Sequence, residues 1–544
     1  MMRRRDFLPG AAALLLPACS TEPPAQIYVH NARIWTGDAA RPSARSMIVR
    51  EGRIVAFDET AQAETVIDAG GALVTPGFID SHVHVFEGGA RLGQVQLREC
   101  RSREDFARRI ADFAADTPRG GWILGGDWDH QHWGGELPSR QWIDTLTPNH
   151  PVWVTRLDGH MGLANAPALR VANINRNTPD PPGGVIVRDA SGEPTGILKD
   201  NAMDLLTRSI PQPSELMRGQ ALDAAMNYLL ERGVTSIHHM GTLAGLDILN
   251  HFRKEGRLRL RVYAAAPLGQ WKELRDWIKQ NGRGDSWMRP GLLKGFVDGS
   301  LGSRTAAFEQ PYAGAPSDSG LMVTNEYEIY DWISSADKAG LQVAVHAIGD
   351  RANRLLLDTY ERAARENGPR DRRFRIEHAQ HLRPADIARF APLGVIASMQ
   401  PYHAIDDGRW ATRLIGPERS KTSYAFRSLL DAKARLAFGS DWFVAPPDPV
   451  QALYAAVTRR TLDGANPGGW IPEQRITLDE ALRAHTAGSA YAGFQEEITG
   501  ALAPGKRADF VVFDRDFSAT PPAKWNEARV RYTVVEGRIQ YSRV

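Results

Sequence analysis

Phe78-Ile79-Asp80-Ser81-His82-Val83-His84 reads as a β-strand that ends in two histidines two positions apart. Alternate residues of a strand share a face, so both imidazoles can approach one ion at about 2.0–2.1 Å. Taken alone, the pair fits two hydrogen-bonded core histidines as well as two metal ligands. Seven more strand-like runs follow, near 234–239, 259–265, 292–297, 342–346, 374–378, 394–399 and 435–440. Helical stretches such as 215–232, 351–366 and 478–492 lie between or after them. This alternation predicts a parallel sheet, and the count predicts an α/β fold of the (β/α)8 TIM-type barrel class over 76–494.

Pro151-Val152-Trp153-Val154-Thr155 is a ninth strand-like run between the first and second barrel strands. It predicts an insertion over about 86–231, rich in Trp, Gly and Pro. Outside the barrel, residues 26–75 and 495–544 read as short strands broken by turns such as Glu51-Gly52 and Glu536-Gly537. Pairing the two sets would cover their edges, which predicts one small β-sandwich assembled from both chain ends.

Composition narrows the function. The 544 residues carry 66 Lys+Arg against 64 Asp+Glu, a net charge of +2, which argues against a nucleic-acid surface as the main business. Cys19 and Cys100 are the two cysteines, too few for a disulfide framework or a cysteine-built metal site. Arg3-Arg4-Arg5, a short apolar run and Leu16-Pro17-Ala18-Cys19 predict a leader over 1–19. It looks like a twin-arginine export signal with a lipobox, in which Pro17 is unusual. The expectation is an exported bacterial protein, periplasmic or membrane-anchored through a lipid on Cys19, with the membrane reached in no other way.

Catalytic residues of such barrels project from the C-terminal strand ends. The polar residues there are His82, His84, His238, His239, Lys294, Asp298, His346, His378 and Asp441. Two later histidines and an aspartate joining the His82–His84 pair make a nitrogen-and-carboxylate site suited to zinc or a similar divalent ion. His238 and His239 read as structural or supporting residues, as does His485. His403 stands near the seventh strand end and could donate to a developing oxyanion.

The motifs together resemble the metal-dependent amidohydrolase superfamily, in its family-3 branch, which includes N-substituted formamide deformylases. The resemblance is carried by Pro76–His84, Lys294–Ser303, His346–Ala352, Arg375–Gln380 and Gly439–Trp442, and in the insertion by Gly125–Asp129 and Asp158–His160. It implies that His82, His84 and Asp441 bind one metal, and that His346 and His378 bind a second. It also implies one or two ions per chain, bridged in the two-ion case by a carboxylated Lys294. Otherwise Lys294 would pair with Asp298 or with a substrate carboxylate.

The implied reaction is hydrolysis of a non-peptide C–N bond in an amide, N-formyl, N-acyl or cyclic amide group. Asp441 would take a proton from water and return it to the departing nitrogen. Trp122, Trp128, Asp129, His130, His132 and Trp133 crowd among glycines in the insertion, where they either shape a pocket or pack a surface loop. The expected substrate contacts are Trp128, Asp129, His160 and Arg304, with a structural ion pair the alternative for Arg304. Two other readings stay open: an esterase or lactonase on the same site, and a non-catalytic ligand-binding lipoprotein. The partner is a small amide-like molecule, and the resemblance is compatible with a homodimer.

Overall fold

The computed structural model describes residues 25–543, and within them eight apolar runs form one parallel sheet. The barrel strands are β1 (Phe78–Val83), β2 (Val234–His239), β3 (Arg261–Pro267), β4 (Met288–Phe296), β5 (Gln342–Ala347), β6 (Arg375–His378), β7 (Ile396–Met399) and β8 (Arg435–Phe438). Each pairs with its neighbour in chain order. Their residues are buried almost throughout, as a parallel sheet covered on both faces requires. The ring draws shut at its C-terminal rim, where Asp441 N–H donates to His82 O at 2.7 Å and His84 N–H to Trp442 O at 2.8 Å. Gly439 permits this approach, since a Cβ there would lie 2.5 Å from the His82 nitrogen. The result is a TIM-type barrel.

The outer helices follow from sequence period. In Asp350–Asn367, Ala352, Leu356, Leu357, Tyr360 and Ala363 fall on one buried face, while Gly368 at φ 78° ends the helix. Leu222, Met226 and Leu229 of Glu215–Leu230 join the same apolar core. The leader and lipid attachment expected at residues 1–19 lie outside the described residues.

Between helices Val85–Arg91 and Glu215–Leu230 the chain builds a mixed six-stranded sheet. Its strands run from Val95–Gln96 to Pro194–Asp200, with Val152–Arg156 near the middle. Phe106, Trp128, Trp142 and Leu163 are among the residues of its core. At the chain ends, a four-stranded sheet (Ala25–His30, Met47–Arg50, Arg53–Phe57, Ala63–Asp68) shares an apolar core with a six-stranded one. The second sheet combines Arg33–Trp35, Ser43–Ala44 and Leu73–Pro76 with Phe510–Phe513, Val530–Val535 and Arg538–Ser542. A buried Arg261–Asp509 pair at 2.6 Å ties β3 to the C-terminal segment.

Candidate active site

A cavity of about 200 Å³ opens at the C-terminal ends of the barrel strands. Strand pairing fixes which side chains reach it. β1 delivers His82 and His84, β4 Lys294, β5 His346 and β6 His378. The chain turns directly from β7 into the helix Pro401–Asp407, which brings in His403, and Asp441 follows β8.

Asp441 is the meeting point. Its Oδ1 lies 3.3 Å from His84 Nε2 and 3.4 Å from His82 Nε2, and its Oδ2 lies 4.0 Å from His378 Nδ1. Two groups of three ligand atoms have the spacing of a metal site: His82, His84, Asp441, and His378, His403, Asp441. The expected second pair was His346 with His378. Their rings lie 4.5 Å apart, with His346 Nε2 donating to Gly299 O at 3.0 Å, and the compact group around His378 also takes in His403.

The donor chemistry fits a divalent cation. Burial holds His82, His346 and His378 well below the ordinary imidazole range, so they stand neutral with a lone pair to offer. Burial would raise Asp441, but His82, His84 and His403 around it hold it below the usual carboxylate range. Burial also brings Lys294 down to about 8. Its Nζ lies 3.1 Å from His82 Nε2 and over the Phe296 ring. It does not pair with Asp298, whose carboxylate accepts backbone N–H groups of Ala307, Ile348 and Gly349.

A layer behind these ligands orients them. Glu377 Oε2 lies 2.5 Å from His82 Nδ1, leaving Nε2 to face the cavity, and Gln400 Oε1 lies 2.8 Å from His378 Nδ1. Asp80 accepts from Ser440 Oγ at 2.5 Å and from the Ser440 and His82 N–H groups, and burial raises it to about 6. Glu377 and Asp80 stand inside the quoted motifs, yet Glu377 meets His82 of β1 and Asp80 meets Ser440 just after β8, both far away in sequence. His238 contacts Arg375 Nη1 at 2.9 Å, His239 the Val83 carbonyl and His485 the Ile79 carbonyl, so none of the three faces the ligand groups.

The insertion supplies one wall. His160 reaches the cavity, with its ring 5.2 Å from that of His346 and its Nδ1 2.7 Å from Asp200 Oδ1. Three residues expected at the substrate do not line the cavity. Trp128 is fully buried in the insertion's own core and donates to Val154 O at 3.0 Å, because its strand turns that face inward. Asp129 sits behind Arg156, accepting from its Nη2 at 2.9 Å and from Arg409 at 3.1 Å, so it supports the wall without forming it. Arg304 is exposed, on a left-handed turn with φ 56°. Arg156, Asp158, Gln380, Asp406 and Asp407 line the cavity and were not anticipated.

The model of the amidohydrolase family matches residues 65–541. Protein LONG AFTER FAR-RED 3 of Arabidopsis thaliana is 42% identical over 524 residues, covering 91% of this chain and 90% of that protein. N-substituted formamide deformylase of Arthrobacter pascens is 29% identical over 543 residues, covering 95% and 98%. Among solved structures, an uncharacterized metal-dependent hydrolase from Pyrococcus horikoshii superposes with a TM-score of 0.73 at 28% identity, covering 91% of this chain and 99% of that one. By family match, fold and site, the chain belongs to the amidohydrolase family, a hydrolase of the metal-dependent type.

Proposed function

We propose that this chain hydrolyses a non-peptide C–N bond, in an amide or N-acyl group of a small molecule. The observation that carries the reading is the Asp441 carboxylate set among His82, His84 and His378 on the cavity floor. The likeness to a protein named as a formamide deformylase supports the choice of bond. His82, His84 and Asp441 would hold one divalent ion, and His378, His403 and Asp441 a second. Imidazole and carboxylate donors suit zinc. Such an ion supplies Lewis acidity, lowering the pKa of a water and polarising a carbonyl oxygen.

The protein's own groups do the rest. Asp441, held ionised by the neighbouring imidazoles, accepts a proton from water and passes it to the departing nitrogen. Glu377 holds His82 in one tautomer. With a single ion held by His82, His84 and Asp441, His403 Nε2, buried without a partner, would instead be available to the carbonyl oxygen as charge grows there. Lys294, brought down to about 8 by burial, would add carbon dioxide through its neutral amine with loss of a proton, giving an anionic carbamate able to serve as a further metal ligand.

The test is turnover by the purified protein of a panel of amides, N-substituted formamides and matched esters. Amide hydrolysis lost on chelation and restored by metal is the expected result. A metal-loaded protein that cleaves the esters and leaves every amide intact overturns the choice of bond.

A further inference from the structure

Two hydrogen-bond acceptors at one end of the cavity take no part in the chemistry at Asp441. Asp407 ends the helix that carries His403 four residues earlier, so the two side chains leave one helix face about one turn, ~6 Å, apart. Gln380 stands two residues beyond β6, and both Asp407 and Gln380 line the cavity. Tyr424 joins them. Gln380 Nε2 donates to its phenol oxygen at 2.5 Å, and the phenol donates to Asp407 Oδ2 at 2.5 Å. The Tyr424 N–H also donates to Gln380 O at 2.6 Å, and the residue holds φ 49°, a costly conformation for so bulky a side chain.

Donor direction along this chain decides what remains. With one amide N–H of Gln380 given to Tyr424, its Oε1 stays buried and unpartnered in a residue only 3% exposed. Asp407 keeps its other carboxylate oxygen. The nearby cations are already taken. Arg156 binds Asp129 and Asp158, and Arg409 binds Asp129 and Asp406. Asp158 and Asp406 are thus paired and Asp441 sits among the candidate metal ligands, which leaves Asp407 as the lining carboxylate outside any ion pair among the described residues. Burial raises Asp407 to about 7, with Asp406 adding to the rise and the Tyr424 hydrogen bond, Arg156 and Arg409 opposing it.

We propose that Asp407 and Gln380 form the recognition end of the cavity, for substrates that carry a protonated amine a few bonds from the scissile amide. An ammonium offers three donors and no acceptor, which suits two acceptors joined through one phenol at the cavity wall. Phe296, Leu301 and Phe443 provide apolar walls for the intervening carbons. This inference rests on the amide-hydrolase reading above.

Calorimetry on the metal-loaded Asp441→Asn protein tests it, with a short amide ending in an ammonium and its isostere ending in a methyl group. The ammonium amide should bind about tenfold tighter or more, the factor expected of one charge-assisted hydrogen bond. Adding Asp407→Asn should remove most of that preference, and Gln380→Leu part of it. If Asp407→Asn fails to fold, Gln380→Glu, which adds charge at the same end, must sharpen the preference. Equal binding of the two amides, a preference that survives Asp407→Asn, or a Gln380→Glu protein without sharpening overturns the proposal. Wild-type protein that hydrolyses both amides equally also removes it, while the hydrolase reading stands. An ammonium preference in binding with no hydrolysis of either amide supports the recognition end and removes the hydrolase reading.

Discussion

His82 Nδ1 lies 2.5 Å from Glu377 Oε2, with neither side chain exposed to solvent. The carboxylate fixes which imidazole nitrogen faces the cavity, and it is itself held by Arg375 at 2.7 Å. His82, the last residue but one of β1, is thereby oriented from β6 across the barrel.

Replacing Glu377 with Gln should weaken metal binding by about 10- to 100-fold, the usual effect of losing such an orienting carboxylate. Metal affinity measured by competition with a chelator gives the readout. Unchanged affinity would show that His82 needs no orienting partner.

Asp441→Asn keeps the shape of the side chain and removes its basicity. Turnover should fall by a factor on the order of 10²–10⁴, the typical contribution of a positioned acid–base group. Full activity in this variant would exclude Asp441 from proton transfer.

Arg261 and Asp509 form a bidentate pair at 2.6 and 2.9 Å, both without exposure. Asp509→Ala leaves a buried guanidinium uncompensated and should cost about 3–5 kcal/mol. Denaturant unfolding measures it. Because the pair joins the barrel to the C-terminal sheet far from the cavity, the folded fraction should retain its kcat.

Cys100 is fully buried, and burial raises its thiol from about 9 to about 11. An alkylating reagent at pH 8 should therefore leave it unmodified until the protein is unfolded. The sign for stability follows. The folded state favours the neutral thiol, so its contribution is complete below pH 9 and is lost as pH rises towards 11.

The barrel was legible because most of its strands are apolar runs, and several of them end in a histidine or aspartate that has no reason to stand there in a plain core. The insertion was harder to read. Gly125 and Gly126 occupy φ 116° and 121° inside a strand, which hides its β character from a pattern-based reading. Trp128 reads as a pocket wall from its glycine-rich setting, but its side chain turns into the insertion's core. His403 was noticed as a donor, while its place beside His378 depends on how soon the chain turns into a helix after β7. Gln380 ends the Arg375–Gln380 motif but nothing there marks it as a cavity residue, and Asp407 carries no local signal. Their meeting through Tyr424 is a property of the closed ring, joining segments 44 and 17 residues apart.

The most direct test of the account is metal content by mass spectrometry on protein purified without chelator, measured alongside amide turnover. At least one divalent ion per chain should be found, with both metal and activity lost in a His82→Ala, His84→Ala double variant. Metal-free protein that hydrolyses amides at full rate, or a double variant that retains its metal, would contradict the assignment of this site.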